Sequence, residues 1–321
     1  MRRPKAALAM RADLPRRLFD EASWAKLHDL VELVSEEPLT SFDGDGLADV
    51  EVLITGWDCP RVDASVLDRA PKLAAVIHAA GTVKGHLDPV CWDRGIVVST
   101  AADANAIPVA EYTVAMILLA GKGVFPIAHR YRQRRAAFDT VREFPTIGNF
   151  RRRVGIVGAS RIGRRVIELL GPYDVETGVY DPCHGDRDLD DLLGWADVVS
   201  LHAPALPETR HMIDARRLAL MRDGATLINT ARGWLVDHDA LLAELRSGRL
   251  SAILDVTEPD VPPADSPLYA LPNVLLTPHI AGSLGNELAR LGNWAVSELA
   301  RYVAGEPFAA PVSREDLARM A

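Results

Sequence analysis

Short apolar runs that alternate with amphipathic stretches dominate the second half of the chain. Runs of strand length lie at residues 154–157, 175–180, 197–201, 225–229, 251–256 and 274–277. The stretches between them have helical spacing and are about 10–15 residues long. Strands that alternate with helices in this way predict βαβ units and a parallel sheet, so we expect an α/β fold.

The N-terminal part of the chain predicts a second, smaller α/β unit. Apolar runs of strand length lie at residues 6–10, 52–55, 73–77 and 97–99, and residues 14–33 have helical spacing. Residues 105–119 predict a helix that is apolar on nearly every side, which we expect to be buried between domains or subunits. We assign a further amphipathic helix, predicted over residues 286–303, to the first domain together with the tail.

A glycine-rich turn follows the predicted strand at residues 154–157. It reads Gly158-Ala159-Ser160-Arg161-Ile162-Gly163 and nearly matches the G-x-G-x-x-G motif that binds a dinucleotide at a helix N-terminus. Gly158 and Gly163 occupy the first and third glycine positions, and Ser160 replaces the second. Either the serine hydroxyl donates to the phosphate, or the pyrophosphate lies slightly farther from the turn.

A carboxylate at the tip of the next predicted strand supports this interpretation. Asp181 follows the run 175–180, and a carboxylate about 20 residues after the first glycine binds the adenosine ribose hydroxyls. Asp181 would repel a 2′-phosphate, and no arginine follows it in Pro182-Cys183-His184. We therefore expect the cofactor to be NAD and not NADP.

Composition narrows the possible partners. The 321 residues are 48% hydrophobic and 25% charged, as in a globular protein with a buried core. The net charge of −8 argues against nucleic acid, because phosphate binding needs a basic surface.

The longest apolar stretch, Val114–Ala120, is much shorter than a bilayer span. Cys59, Cys91 and Cys183 lie far apart, which indicates free thiols in a reducing cytoplasm and no metal site.

Polar residues follow several predicted strands where each strand ends. The segments are His202-Ala203-Pro204, Thr230-Ala231-Arg232-Gly233, Asp255 with Glu258 and Asp260, and Thr277-Pro278-His279. Ligands of parallel sheets gather at the carboxyl ends of the strands, so these groups should converge near the nicotinamide. An arginine that binds a carboxylate, a histidine that transfers a proton and an acid that orients the histidine suit hydride transfer at a carbonyl.

Each of these residues also has a structural explanation when it is taken alone. Arg232 would be a surface ion pair, Asp255 a turn cap and His279 a turn filler, and His202 reads as a structural histidine on the cofactor side. The loop after residue 78 exposes backbone N–H groups that suit a small anion, or it is only a tight turn. The basic run Arg130–Arg135 is a solvated face or, alternatively, a subunit contact.

The order of these motifs resembles the D-isomer-specific 2-hydroxyacid dehydrogenase family, which includes D-lactate dehydrogenase, phosphoglycerate dehydrogenase and glyoxylate reductase. The resemblance covers nearly the whole chain. It implies two Rossmann-like domains, with an NAD-binding domain inserted in a discontinuous, flavodoxin-like catalytic domain. It also implies an active site in the cleft between the two domains, and a homodimer. The expected boundaries are residues 1–102 with 283–321 for the catalytic domain, and 103–282 for the NAD-binding domain. The motifs are 154–163, Ser200–Pro204 with Thr209, Asn229–Gly233, Leu254–Val256 and Thr277–Gly282.

By position, the resemblance implies that Arg232 binds the carboxylate and carbonyl of a small 2-oxo or 2-hydroxy acid and that His279 is the acid–base residue. Asp255 would hold the nicotinamide carboxamide. The backbone amides of Ala80, Gly81 and Val83 would bind the substrate carboxylate. The implied cofactor-binding residues are Gly158, Ser160, Arg161, Ile162, Gly163, Asp181, His202, Ala203, Pro204, Thr209, Thr230, Ala231, Asp255, Ala281 and Gly282.

The acidic partner of His279 departs from the family pattern. The family commonly has a glutamate five positions after the equivalent of Asp255, followed by proline, whereas this chain has Asp260 followed by Val261. We predict Asp260 as the partner and keep Glu258, two positions earlier, as the alternative. A second functional hypothesis is an NAD(H)-sensing scaffold, similar to the co-repressors that share this fold, in which catalysis is vestigial.

Overall fold

The computed structural model describes residues 2–44 and 46–319, which form two compact units. The first unit contains the residues up to Ala106 and those from Ser283 onward, and the second contains Ile107–Gly282. The chain therefore leaves the first unit and later returns to it. This confirms the predicted α/β class, with one domain inserted in a discontinuous second domain.

All strands of the described residues belong to two sheets. The strands are β1 (Lys5–Ala9), β2 (Glu32–Leu33), β3 (Val52–Thr55), β4 (Ala75–His78), β5 (Val97–Thr100), β6 (Arg152–Val157), β7 (Val175–Tyr180), β8 (Val198–Leu201), β9 (Thr226–Asn229), β10 (Ser251–Leu254) and β11 (Val274–Leu276). The helices are α1 (Pro15–Leu18), α2 (Glu21–Leu30), α3 (Ala64–Arg69), α4 (Val90–Asp93), α5 (Ala102–Gly121), α6 (Val124–Arg134), α7 (Thr140–Glu143), α8 (Arg161–Leu170), α9 (Leu189–Trp195), α10 (Ala215–Leu220), α11 (His238–Ser247), α12 (Leu288–Val303) and α13 (Arg314–Arg319).

The first unit contains a parallel sheet with the strand order β2-β1-β3-β4-β5, which is the flavodoxin-like order. The amphipathic helix α12 packs its apolar face on this sheet. Leu291 and Leu299 of α12 join a buried cluster with Leu8 and Ile54. The returning segment therefore completes the core of the unit in which the chain begins.

The second unit contains a six-stranded parallel sheet with the order β11-β10-β9-β8-β6-β7. Its strands are apolar on both faces because helices cover both sides. Ile156 and Ile228 join one buried cluster, whereas Val157 and Leu227 join the cluster on the opposite face. The strand order reverses between β6 and β8, and in open α/β sheets this reversal marks the ligand-binding crevice.

Three elements differ from the sequence expectations. Residues 14–33 do not form one helix: α1 ends at Leu18, and Asp20 begins α2 by accepting a hydrogen bond from the Ser23 backbone at 2.8 Å. The basic run Arg130–Arg135 forms the C-terminal end of α6 and its C-cap, in a segment for which we predicted no helix. Strand β2 has only two residues, which is too short to produce a recognisable pattern.

Helix α5 is longer than its apolar stretch suggests. It has 20 residues, and by length and composition alone it resembles a membrane span. Half of its most apolar window is buried inside the protein. The buried core helices of globular proteins have the same composition, so this helix is weak evidence for a membrane.

Candidate active site

The glycine turn lies between the end of β6 and the start of α8. Gly158 has φ of +94°, a conformation that L side chains rarely adopt, and a Cβ there would lie 2.9 Å from the backbone nitrogen of Ala203. A Cβ at Gly163 would lie 1.9 Å from the Gly158 carbonyl oxygen. Only glycine at these two positions lets α8 approach the turn this closely.

Ser160 is the N-cap residue of α8, but its side chain makes no capping hydrogen bond. The residue is exposed, and its φ of −79° is normal for an L residue. The fold therefore accepts serine where the motif has its second glycine. Arg161 and Ile162 follow in the first turn of α8, where helix N–H groups have no intrahelical acceptor. This helix N-terminus, with a free serine hydroxyl, suits a phosphate.

Asp181 follows β7 and faces back toward the glycine turn. Its carboxylate accepts hydrogen bonds from the backbone of Ala159 at 2.8 Å, Cys183 at 2.8 Å and His184 at 3.1 Å. Burial alone would raise the pKa of Asp181, but these backbone donors outweigh it and lower the pKa below its ordinary value. The carboxylate is therefore a permanent negative charge beside the turn at neutral pH.

The segment after β8 places His202, Ala203 and Pro204 opposite the glycine turn. His202 is buried, and its Nε2 hydrogen-bonds the Ser200 hydroxyl at 3.0 Å. Its Nδ1 is buried without a hydrogen-bond partner in the described structure. Burial lowers the pKa of His202 to about 4, so the ring is neutral at pH 7. Thr209 holds the end of this segment by donating to the Pro204 carbonyl at 2.7 Å.

Arg232 follows β9 on a turn that Asn229 shapes. The Asn229 side chain accepts from the Ala231 backbone at 3.0 Å and donates to the Arg232 carbonyl at 2.9 Å. The Arg232 guanidinium is partly buried and donates to the Ala231 carbonyl at 2.6 Å. Burial lowers the pKa of Arg232, and the charge of Asp260 opposes that shift. Within residues 2–44 and 46–319, no carboxylate lies within ion-pair distance of Arg232.

Asp255 follows β10, which lies between β9 and β11, and it is 1% exposed. Its carboxylate accepts from the Thr277 hydroxyl at 2.6 Å, the Ile280 backbone at 2.8 Å and the Ala281 backbone at 2.9 Å. Asp255 therefore holds the whole segment after β11. His279 also belongs to this segment, because its backbone N–H donates to the Asp255 carbonyl at 2.9 Å.

His279 is exposed, and its φ of +55° is in the left-handed region. A non-glycine residue adopts that conformation only when the surrounding structure imposes it. The bonds from Asp255 to the segment on both sides of His279 provide that constraint. Arg232, Asp255 and His279 thus lie at the carboxyl ends of three neighbouring strands, as predicted, and the glycine turn, Asp181 and His202 follow the other three.

The two carboxylates that compete as the partner of His279 have different surroundings. Glu258 lies 3.4 Å from the Arg210 guanidinium and 3.6 Å from the His211 ring, so it already has a cationic neighbour. Asp260 is exposed, and its charge acts on Arg232. No His279 contact of either carboxylate occurs among the described residues, so the structure leaves this assignment as a prediction.

The predicted substrate loop lies in the first unit, after β4. The Thr100 hydroxyl donates to the Ala80 carbonyl at 2.8 Å and also to the Gly81 carbonyl. Ala80 and Val83 are buried, and Gly81 is partly exposed. In the part of the chain that the structure describes, the backbone N–H groups of Ala80, Gly81 and Val83 donate to no protein acceptor. Free N–H groups in one loop suit a carboxylate.

Comparison with known proteins decides the family. Residues 114–281 match the family described as D-isomer specific 2-hydroxyacid dehydrogenase, NAD binding domain. A glyoxylate reductase from Thermofilum pendens is 34% identical over 271 residues, which cover 80% of each chain. The chain belongs to the D-isomer specific 2-hydroxyacid dehydrogenase family.

Two further members of this dehydrogenase family extend the comparison. A D-3-phosphoglycerate dehydrogenase from Methanocaldococcus jannaschii is 33% identical over 81% of this chain. That match covers 50% of the relative, so this chain spans about half the relative's length. The crystal structure of a D-lactate dehydrogenase from Treponema pallidum has a TM-score of 0.76 and 26% identity, and the match covers 97% of this chain and 99% of that one. These matches confirm the predicted two-domain dehydrogenase fold and its NAD-binding domain.

The structure also shows positioning residues that the motifs did not identify. Tyr112 of α5 hydrogen-bonds the Thr277 hydroxyl at 3.0 Å, and Thr277 in turn binds Asp255. Thr113 bonds the Thr230 hydroxyl at 3.1 Å. Asn229 lies within a recognised motif, but its side chain was not assigned a role. A polar side chain at the end of a buried strand was the sequence signal that could have identified Asn229. The same signal could have identified Thr277.

No cluster of metal-ligating side chains occurs among residues 2–44 and 46–319. The cysteines Cys59, Cys91 and Cys183 are free. The polar groups of the candidate site are instead an arginine, a histidine, carboxylates and backbone N–H groups. The glycine turn before the N-terminus of α8 and the unpartnered Nδ1 of His202 fit a bound dinucleotide.

Proposed function

We propose that this protein is a dehydrogenase that interconverts a small 2-oxo acid and the corresponding D-2-hydroxy acid with NAD(H). The observation that carries the proposal is the partly buried Arg232 guanidinium, which has no acidic partner among the described residues. Arg232 follows β9, and the segment that Asp255 fixes around His279 follows β11, with only β10 between these two strands. An unpaired cation of low solvent exposure is a site for an anionic ligand.

In this proposal Arg232 binds the substrate carboxylate through two parallel hydrogen bonds and polarises the adjacent carbonyl. His279 donates a proton to the carbonyl oxygen during reduction and accepts it during oxidation. NADH, when bound, supplies the hydride. Arg232 and His279 orient the substrate for that transfer, because proximity in a fixed geometry provides much of the rate.

We assign the acidic partner of His279 to Asp260. Its negative charge raises the pKa of Arg232, which supports an assignment of Asp260 to the same site as Arg232. Glu258 is engaged by Arg210 and His211. A carboxylate beside the imidazole favours the protonated ring that donates to the carbonyl oxygen.

The cofactor in this proposal is NAD, and not NADP. The glycine turn and the start of α8 would hold the pyrophosphate, and Asp181 would face the adenosine ribose. The negative charge of Asp181 would repel a 2′-phosphate. Thr230, Ala231, Ala281 and Gly282 follow β9 and β11 and would line the nicotinamide side. We propose that the first unit is the substrate domain and that the N–H groups of its loop at Ala80, Gly81 and Val83, which donate to no protein acceptor among the described residues, bind a substrate carboxylate.

We further propose a cytoplasmic homodimer with no nucleic-acid or membrane partner. Helix α6 has no buried residue in the isolated chain, and its Tyr131 is 59% exposed. Val141 is 81% exposed and belongs to α7, which the ion pairs of Glu143 with Arg130 and Arg134 join to α6. Exposed apolar groups in one region indicate a surface that another subunit covers. Sedimentation of the purified protein tests this assembly.

The test of the activity is the oxidation of NADH in the presence of a panel of 2-oxo acids, with Arg232→Lys and Arg232→Ala as comparisons. We expect turnover with at least one acid and a loss of about 10²–10³-fold in kcat/KM for Arg232→Ala, because two charge-assisted hydrogen bonds disappear. Arg232→Lys retains the charge but loses the bidentate geometry, so it should recover only part of the activity. Binding of NADH without turnover of any acid would favour the sensing scaffold.

A further inference from the structure

A histidine outside the predicted site connects the turn that carries Arg232 with the loop that carries Asp260. His238 is the first residue of α11, and Asp237 caps that helix by accepting from the Ala240 backbone at 3.1 Å. The His238 ring is partly buried and does not point freely into solvent. None of the roles proposed above uses it.

The His238 ring accepts a hydrogen bond from the loop that carries Asp260. The backbone N–H of Glu258 donates to Nε2 of His238 at 3.3 Å. A ring nitrogen accepts a hydrogen bond only when it carries no proton. This contact therefore requires the neutral ring, with its proton on Nδ1.

The two backbones that His238 connects are in direct contact. A Cβ on Gly233, the residue after Arg232, would lie 2.1 Å from the Thr257 carbonyl oxygen and 2.5 Å from the Glu258 nitrogen. The Thr257 hydroxyl donates to the carbonyl of Pro259 at 2.7 Å and of Asp260 at 3.1 Å, which makes residues 257–260 one compact turn. A bond to Glu258 therefore fixes Asp260 relative to Arg232.

From this geometry we propose that His238 is a positioning residue that holds the Arg232 turn against the Asp260 loop, and that it does so only while its ring is neutral. The proposal rests on the function proposed above, because Arg232 and Asp260 act on the substrate there. A protonated ring would place an N–H group against the Glu258 N–H, and the loop would lose its anchor.

The charged groups around His238 are consistent with a neutral ring. Burial lowers the pKa of His238, whereas the Gly233 backbone, the Glu258 carboxylate and Asp237 oppose that shift. His211 is also nearby and adds to the lowering. Arg210 lies 3.4 Å from the Glu258 carboxylate and offsets part of its charge. The ring is therefore neutral at pH 7 and becomes protonated as the solution is acidified.

Two variants separate the acceptor from the ring. His238→Gln keeps an oxygen acceptor for the Glu258 N–H and does not titrate, whereas His238→Phe keeps a ring and removes the acceptor. His28→Gln, at an exposed histidine of α2, is the matched control. The measurements are kcat and KM for a 2-oxo acid with NADH between pH 5 and pH 8, the Kd of NADH and the melting temperature.

At pH 8 we expect His238→Gln to retain kcat/KM within about twofold, and His238→Phe to lose on the order of tenfold or more, since small misplacements of catalytic groups have effects of this size. The Kd of NADH should stay within about twofold for both variants. As the pH falls, the wild-type enzyme should lose activity before His238→Gln does. The proposal would be overturned if His238→Phe had wild-type activity. It would also be overturned if wild type and His238→Gln lost activity at the same pH as the solution was acidified.

Hydrogen exchange of the Glu258 amide provides a measurement that does not depend on turnover. We expect the amide to be protected at pH 8 in wild type and in His238→Gln, and to exchange about tenfold faster in His238→Phe, because it then has no acceptor. Equal protection in all three proteins would refute the anchor even if the enzyme were inactive. An inactive wild type with this exchange pattern would contradict only the proposed function.

Discussion

The carboxylate of Asp255 and the hydroxyl of Thr277 lie 2.6 Å apart and join the ends of two neighbouring strands. The same carboxylate also accepts from two backbone N–H groups beyond His279, and Tyr112 extends the network through the Thr277 hydroxyl. The position of His279 thus depends on a buried charge that does not react. This arrangement explains why an exposed histidine has a defined backbone conformation.

Asp255→Asn should destabilise the protein by about 2–4 kcal/mol, because an amide NH₂ group replaces one acceptor oxygen and faces buried donors. Tyr112→Phe removes only the outermost hydrogen bond of the network and should cost about 0.5–1.5 kcal/mol. Urea unfolding followed by circular dichroism measures both changes. If the two variants unfolded at the same urea concentration, the network would not carry the stability that we assign to it.

Asp260→Ala should lower the turnover number for reduction by about 10–10²-fold, because the protonated form of His279 loses its acidic neighbour. For the same reason the pH optimum of reduction should move toward acid. Glu258→Ala, the matched control, should change turnover by less than about threefold, since its carboxylate faces Arg210 and His211. Turnover measured from pH 5 to pH 9 tests this ranking, and the reverse ranking would transfer the role to Glu258.

Ser160→Ala should weaken NADH binding by about 3- to 10-fold if the free hydroxyl donates to the pyrophosphate, which corresponds to one hydrogen bond. Ser160→Gly removes the same hydroxyl and also restores the second glycine of the motif. Fluorescence titration with NADH measures both affinities. Tighter binding by both variants would instead support a pyrophosphate that lies farther from the turn because of the serine.

The stability of the second unit should depend on pH through His202. The pKa of this buried ring is lowered to about 4 in the folded protein, whereas a histidine in the unfolded chain titrates near 6.5. Between these values the unfolded chain binds more protons, so stability is lost as the pH falls from about 7 to 4. At pH 5 the loss from this group should be about 2 kcal/mol.

Urea unfolding of wild type and His202→Gln at pH 7.5 and pH 5 tests this dependence. Glutamine does not titrate in this range. The loss of unfolding free energy between pH 7.5 and pH 5 should therefore be about 2 kcal/mol smaller in His202→Gln than in wild type. His28→Gln, which removes an exposed histidine, should behave like wild type. An unchanged pH dependence in His202→Gln would show that folding does not lower the pKa of His202.

Strands were the most predictable part of the fold, because buried parallel strands are continuous apolar runs. Strands β3 and β7 begin and end at the predicted residues, and most of the others differ by one or two positions. The break between α1 and α2 was missed, although Asp20 is a good N-cap residue, because the apolar spacing continues across it. Helix α6 was missed because its basic run was interpreted only as a solvated face or a subunit contact, and no element was assigned to the segment around it.

For the candidate site, the sequence predicted which strand each polar residue follows. Parallel strands carry their polar termini to one edge, so Arg232, Asp255 and His279 were expected to meet there. The bonds that fix them were not predictable, because Asp255 contacts residues 22 to 26 positions away through one hydroxyl and two backbone amides. The contact between His238 and Glu258 has the same character, since no local pattern pairs a side chain with a distant backbone N–H.

The left-handed backbone at His279 has a consequence for protein engineering. Glycine or asparagine relieves this conformation, which is unfavourable for an ordinary L residue by about 1 kcal/mol. A search for thermostable variants that scores only folding would therefore select His279→Gly, and the resulting protein would lack the imidazole that we propose as the proton donor. Any stabilisation campaign on this dehydrogenase should exclude that position in advance.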